Sequence, residues 1–260
     1  QYFEDALNAA KERGELSAAA TLAREAADYA RVLGMAQVRS EPTGEPVPVR
    51  TLDEVGSAPQ VLRLEQLEID IYRGGVFSPE SGFLQRTFGG HVAGQSLVSA
   101  VRTVEPQFQV HSLHGYFLRP GDARAPTVYL VDRLRDGGSF CTRRVNAVQH
   151  GQTIFSMSAS FQTDQSGIEH QDVMPVPPPP DLSKGFRSAG AFDDAGFAQF
   201  AEWDVRIVPR DQVARVPGKA SQQQVWFRHR DPLPDDHVLH ICALAYMSDL
   251  TLLGSAQVNH

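Results

Sequence analysis

The chain has 260 residues, 42% of them hydrophobic and 21% charged, with a net charge of −7. That length supports one large domain or two smaller ones, and the composition is that of an ordinary globular protein. The acidic balance excludes a nucleic-acid protein built on a basic face, while leaving room for a local basic pocket that takes an anionic small molecule.

Residues 1–38 are rich in alanine and charge. Leu16, Ala19, Ala23, Ala26, Ala30 and Leu33 recur at the helical spacing of three and four. Glu4, Asp5, Glu12, Glu15, Glu25 and Asp28 count against a mitochondrial transit peptide, which is poor in acidic residues. Pro42, Pro46, Pro48 and Pro59 make 40–60 a linker, so 1–60 is expected to be a helical extension and linker of unknown role. From Leu64 the run LEQLEIDIYRG predicts a strand, or a short helix leading into one, that ends at Gly74-Gly75; 78–86 reads as a loop.

A helix is expected over 89–104, opening on Gly89-Gly90. Val92, Gln95, Ser96, Ser99 and Thr103 lie on one face and Ala93, Leu97 and Ala100 on the other, with no charge before Arg102. Such a helix is mostly buried. Four strands follow at 108–119, 127–135, 139–149 and 153–162, joined by Pro120-Gly121-Asp122, Asp136-Gly137-Gly138 and His150-Gly151. Connections this short make neighbouring strands antiparallel, because a parallel pair needs a crossover of a dozen or more residues. The order predicts an α+β fold in which one antiparallel sheet curls around helix 89–104.

The run MPVPPPPD at 174–181 reads as a stiff polyproline spacer. Beyond it FDDAGFAQF predicts a short helix, WDVRIVP and QQVWFRHR two strands, and DHVLHICALAYMSDLTLL a helix near 236–253 capped by Asp235 or Asp236. Strand-plus-helix elements thus recur on both sides of the spacer, which suggests an internal duplication with a shorter second copy.

Cys141 and Cys242 are far apart and outside any CxxC spacing. A disulfide framework or zinc site is not expected, and a reducing cytoplasm fits. No apolar run approaches the ~20 residues that cross a bilayer. His111 and His114, three apart on a strand, face opposite ways and make a poor metal pair. His237 and His240 sit one helical turn apart, but no HExxH glutamate or third ligand accompanies them. No metal or cofactor is expected. A GxSxG elbow is absent, and GGHVAG is not a phosphate loop because no GK[ST] follows; its first-turn N–H groups are open to an anion or a carbonyl. Asp249 is the only charge in ALAYMSDLTLL. A lone carboxylate in an apolar run is either functional or the cap of a helix kink beside Ser248 or Thr251. Arg119, Arg135, Arg143 and Arg144 gather near the sheet ends. They are either surface charge or, with Gly137, Gly138 and Ser139, an anchor for a phosphorylated tail at the Asp136–Ser139 hairpin.

RTFGGHVAGQSL, HSLHGYFLRPGD, RDGGSFCTRRVNAVQHGQTIFSMSASFQ, GIEHQDVMP and LAYMSDLTLLGSAQ, in that order over about 61–260, closely resemble the bacterial acyl-CoA thioesterase II (TesB-like) family. The resemblance implies a double hotdog: a first unit at 61–163, a Pro-rich linker at 164–202 and a partial second unit at 203–260. It also implies hydrolysis of fatty acyl-CoA by water, with acyl-CoA as partner; charge, cysteine use and the lack of a long apolar run add no nucleic acid, no integral membrane association and a cytoplasmic setting, and a homo-oligomer is expected. The family positions its water with an aspartate, a threonine and a glutamine. The aspartate of its YxSDL motif corresponds to Asp249, within Tyr246–Leu250. The chain begins at Gln1 and stops at His260, and the other two residues are expected past His260. Two alternatives stand beside this reading. One is a catalytically incomplete acyl-CoA binding or sensing module. The other, a hotdog dehydratase or hydratase, is disfavoured because helix 89–104 lacks the histidine–acid pair of such enzymes.

Overall fold

The computed structural model describes residues 59–76, 86–180, 184–185, 200, 202–218, 222–252 and 255. The helical block 1–38, the linker up to 58, the loop at 78–85 and most of the 192–200 segment lie outside these residues.

Leu64 to Gly74 forms two strands: β1 (Leu64–Glu68) and β2 (Ile71–Gly74) pair antiparallel. The run expected as one strand breaks at Ile69-Asp70, where Asp70 takes a left-handed backbone conformation with φ of 60°. Aspartate tolerates that conformation better than most side chains. Its carboxylate also accepts from Arg133 Nε at 2.9 Å and Nη2 at 2.9 Å, which ties the turn to the neighbouring strand. Helix α1 (Gly89–Val101) is followed by β3 (Phe108–Phe117), β4 (Thr127–Asp136), β5 (Phe140–Gln149) and β6 (Gln152–Thr163). The six strands make one antiparallel sheet in the order β1-β2-β4-β5-β6-β3.

One face of that sheet packs on α1. Tyr72, Tyr129, Val131, Val145, Ala147, Met157 and Phe161 share a single core with Val92, Leu97, Val98 and Val101. This is the hotdog arrangement, with the helix buried almost throughout as its low charge predicts. Polar helix residues are buried with partners: Gln95 Nε2 donates to the Val61 carbonyl at 2.7 Å, and Gln95 Oε1 accepts from the Tyr129 hydroxyl at 2.7 Å. A side chain at Gly74 would run into the Gln95 amide, so the glycine ending β2 lets that strand close over the helix.

A second, three-stranded antiparallel sheet follows: β7 (Lys184–Gly185), β8 (Trp203–Ile207) and β9 (Val225–His229). Helix α2 (His237–Ser248) comes next, with Asp236 as its N-cap accepting from Val238 N at 2.9 Å. The helix expected to run to 253 passes at Asp249 into a 3₁₀ turn, Asp249–Thr251. Its buried residues Leu239, Cys242, Ala243, Tyr246 and Met247 keep the three-and-four spacing of a core-facing helix. That stripe packs on α1, with the C-terminal end of α2 beside the N-terminal end of α1.

Candidate active site

The two helices meet at Gly89-Gly90. A side chain at Gly90 would collide with the Tyr246 carbonyl, and a Cβ at Gly89 would lie 2.6 Å from Asp249 Oδ2 and 2.9 Å from the Phe117 ring. Gly94, one turn on, lies against Tyr246 and Leu62. The phenyl ring of Phe88 meets Tyr246 edge-on at 5.4 Å and Phe200 at 5.1 Å, and Trp203 closes the other side of Tyr246 at 5.9 Å.

Close approach of the helices delivers Asp249. Its Oδ2 accepts from the Gly90 N–H at 2.9 Å. The N-cap of α1, Phe88, offers no side-chain acceptor of its own, so Asp249 performs that task from 159 residues away. The helix dipole favours a carboxylate there. Asp249 is partly buried, and this burial raises its pKa above the ordinary carboxylate value, with the Gly90 N–H opposing. Oδ1 has no hydrogen-bond partner among the described residues, and a carboxylate whose affinity for protons is raised in this way is equipped to take a proton from water.

Asp249 borders a cleft of about 380 Å³. Val92, Phe117, Leu118, Ile154 and Phe155 supply an apolar wall, and Arg86, Thr87, Arg119, Pro120 and Gly121 supply a polar rim. Phe155 stacks on Phe117 at 4.8 Å and rests against Gly115, whose missing side chain leaves room for the ring. The Thr87 hydroxyl is buried with no partner among the described residues. The rim is held firmly. Thr87 N donates to the Gly121 carbonyl at 2.9 Å, and buried Gln149 binds Asp122 N, the Asp122 and Ala125 carbonyls and the Thr127 hydroxyl.

The Asp136–Ser139 hairpin is elsewhere. It joins the ends of β4 and β5 opposite to Thr127 and Gln149, the end that holds the Asp122 segment beside the cleft. Arg143 is only 1% exposed. Its guanidinium donates to Thr103 Oγ1 and carbonyl, to the Arg135 and Thr142 carbonyls, and to Asp136 Oδ1. All five N–H donors are engaged, so the expectation that Arg143 grips a phosphorylated tail is corrected: it pins the hairpin to the end of α1. Arg144 points to the opposite, exposed face. Gly137 closes the hairpin through its N–H to the Phe140 carbonyl at 3.0 Å, Ser139 accepts from Thr163 N, and Gly138 stands exposed.

His111 bonds the Ser160 hydroxyl at 2.9 Å, His114 packs on Tyr116, and His240 bonds the Pro234 carbonyl. Among the described residues no group of histidine, cysteine and acidic side chains is placed to hold a metal ion.

Two family models match the chain: the acyl-CoA thioesterase N-terminal domain over residues 79–162 and acyl-CoA thioesterase over 194–260. A solved acyl-CoA thioesterase II from Mycobacterium marinum is 70% identical, with a TM-score of 0.64, over 77% of this chain and 69% of that one. The chain belongs to the acyl-CoA thioesterase II family. Mouse acyl-coenzyme A thioesterase 8 is 38% identical over 219 residues, covering 77% of this chain and 67% of the relative. Acyl-CoA thioesterase 2 of Haemophilus influenzae is 34% identical over 208 residues, 77% and 72% of the two chains. Within this thioesterase fold, sequence reasoning singled out Asp249 but missed the cleft walls. Phe117 and Phe155 read as plain strand residues, and only the glycines at 89, 90 and 115 hinted that something packs closely there.

Proposed function

We propose that the protein hydrolyses fatty acyl-CoA thioesters to free fatty acid and coenzyme A, with Asp249 as the base that holds and deprotonates the attacking water. The observation that carries this reading is the Asp249 carboxylate on the Gly90 N–H at the edge of a mixed polar and apolar cleft. One carboxylate oxygen is fixed by α1, and the other is left to orient water. The Gly89 N–H, in the same first turn beside the Gly90 N–H that Asp249 takes, is the candidate donor to the thioester oxygen as it becomes anionic. Water attacks the carbonyl carbon as Asp249 takes its proton, collapse of the tetrahedral species breaks the C–S bond, and the departing thiolate takes that proton back from Asp249 to leave as the thiol. A thioester is reactive enough for this direct route, without a covalent enzyme intermediate.

The experiment is turnover of palmitoyl-CoA by the chain and by Asp249→Asn, with acyl-CoA binding measured in parallel by calorimetry. The expected result is a fall in kcat of roughly 10²–10⁴-fold with binding largely kept. Equal turnover by both proteins removes Asp249 from the mechanism. Tight binding with no turnover by the unaltered chain favours an acyl-CoA binding module instead.

The reading brings three further assignments. The chain divides into a hotdog at 61–163, a linker at 164–202 and a second unit from 203, supported by a first sheet confined to 64–163. A cytoplasmic setting is supported by two buried cysteines that remain free thiols; separately, no helix among the described residues is long and apolar enough to cross a membrane. Homo-oligomerisation is supported by edge strand β3, which exposes Leu113, Tyr116 and Phe117. Light scattering on the purified chain checks the last.

A further inference from the structure

We propose that the anionic carrier half of the substrate is anchored by Arg86 and Arg119 on the rim of the Asp249 cleft, and not by the Asp136–Ser139 hairpin. The proposal rests on the thioester reading of that cleft and names how it takes its charged ligand.

The arginines of the two sheets are mostly committed to carboxylates. Arg73 pairs with Glu65, Arg124 with Asp122, Arg133 with Asp70, Arg143 with Asp136, and Arg206 and Arg228 with Asp204. Arg135 and Arg144 at the hairpin end and Arg86 and Arg119 at the cleft stand outside this pattern, and of these only the second pair borders the cleft of Asp249. Neither Arg86 nor Arg119 has a carboxylate within ion-pair distance among the described residues, and both are exposed. Arg119 Nη1 instead donates to the Thr153 carbonyl at 2.8 Å. A carbonyl orients a guanidinium without neutralising it, so the charge and the remaining N–H donors stay available to a phosphate.

Position argues the same way. Arg86 lies where the chain bridges to Asp122, and Arg119 lies just past the end of β3, where the N–H groups of Leu118 and Arg119 both donate to the Ile154 carbonyl. The two segments are joined through Thr87 and Gly121, so the arginines border one opening. The acidic residue nearest by sequence, Asp122, is engaged by Arg124 at 3.1 Å. The cleft lining thus carries two guanidiniums and a single carboxylate in a chain whose net charge is −7. A phosphate-bearing group passing over this rim meets positive charge within the ~8 Å screening length of physiological salt. The aromatic wall of Phe117 and Phe155 is left for the apolar half of the ligand.

Unacylated coenzyme A, titrated by calorimetry at low and physiological ionic strength, is the probe. Arg86→Gln/Arg119→Gln is compared with the unaltered chain and with Arg135→Gln/Arg144→Gln at the far hairpin. The rim variant should bind coenzyme A at least about tenfold more weakly at low salt, with a shallower salt dependence, while the hairpin variant stays within about twofold. In turnover, kcat/KM for acyl-CoA should fall at least tenfold more than kcat/KM for the same acyl group on uncharged N-acetylcysteamine. Unchanged coenzyme A affinity in the rim variant overturns the proposal, as does loss confined to the hairpin variant. An equal fall with both thioesters makes the arginines structural and overturns it as well. If the unaltered chain turns over no thioester, the coenzyme A titration alone decides the rim.

Discussion

At the hairpin end of β4 and β5, Arg143 lies buried with five donors satisfied by Thr103, Arg135, Thr142 and Asp136. At the other end of the same sheet, Arg119 is held by one carbonyl and faces solvent beside the cleft that contains Asp249. The two guanidiniums are the same chemical group in different accounts of charge. Where every donor is engaged, the arginine is a structural clamp whose removal unfolds; where charge is left over, it is a means of recognition whose removal weakens a ligand. Availability, not the presence of a basic residue, separates architecture from binding.

Arg143→Ala tests the clamp most severely. It takes the donor from the buried Thr103 carbonyl and from Asp136, and opens a cavity between α1 and the hairpin, so urea unfolding should show a loss of about 3–5 kcal/mol. A loss below about 1 kcal/mol would erase the contrast. At the cleft end, His91 is buried on α1 beside Gln95, and burial depresses its pKa to about 4. Its neutral form is the folded form, so protonation favours unfolding. The associated stability is present above pH ~6.5 and declines as pH falls towards ~4, by about 3 kcal/mol at the limit. Unfolding measured across that window should be steeper in pH for the unaltered chain than for His91→Gln, and parallel curves would place His91 in contact with water. Gly90→Ala forces α1 and α2 apart at the Tyr246 carbonyl. It should cost about 1–3 kcal/mol by thermal denaturation and lower turnover further by moving Asp249 off its N–H. Arg144→Ala, on the exposed face beside the clamp, should change stability by no more than about 0.5 kcal/mol.

Much of this contrast can be read in the chain. Strands 108–117, 127–136, 140–149 and 152–163 fall close to the boundaries that turn residues set. Asp249 stands out because a charge in an apolar helix needs a reason. The inward face of β5 was also legible: Cys141, Val145 and Ala147 share the parity of Arg143, so period-two alternation already points that arginine at the core. Alternation does not say whether a buried cation finds partners, which here come from Thr103 and Asp136. The cleft rim was less legible still. It is made where 86–87 meets 121–122 and where α2 meets α1, and no local pattern encodes a meeting of segments so distant in sequence. The tight turn at Asp70 was missed because the hydrophobic run passes through it without a glycine or proline.

The Gly90–Asp249 hydrogen bond has a consequence for how the molecule comes to life after synthesis. The sheet around α1 closes largely through neighbouring hairpins, whereas this bond must bridge 159 residues and waits for two helices to dock. Contacts of such long span form late, because the chain entropy they remove is returned only at the end of folding. In a refolding experiment, strand signal should therefore recover first and hydrolytic activity last. The lag between them would be a clock for helix docking.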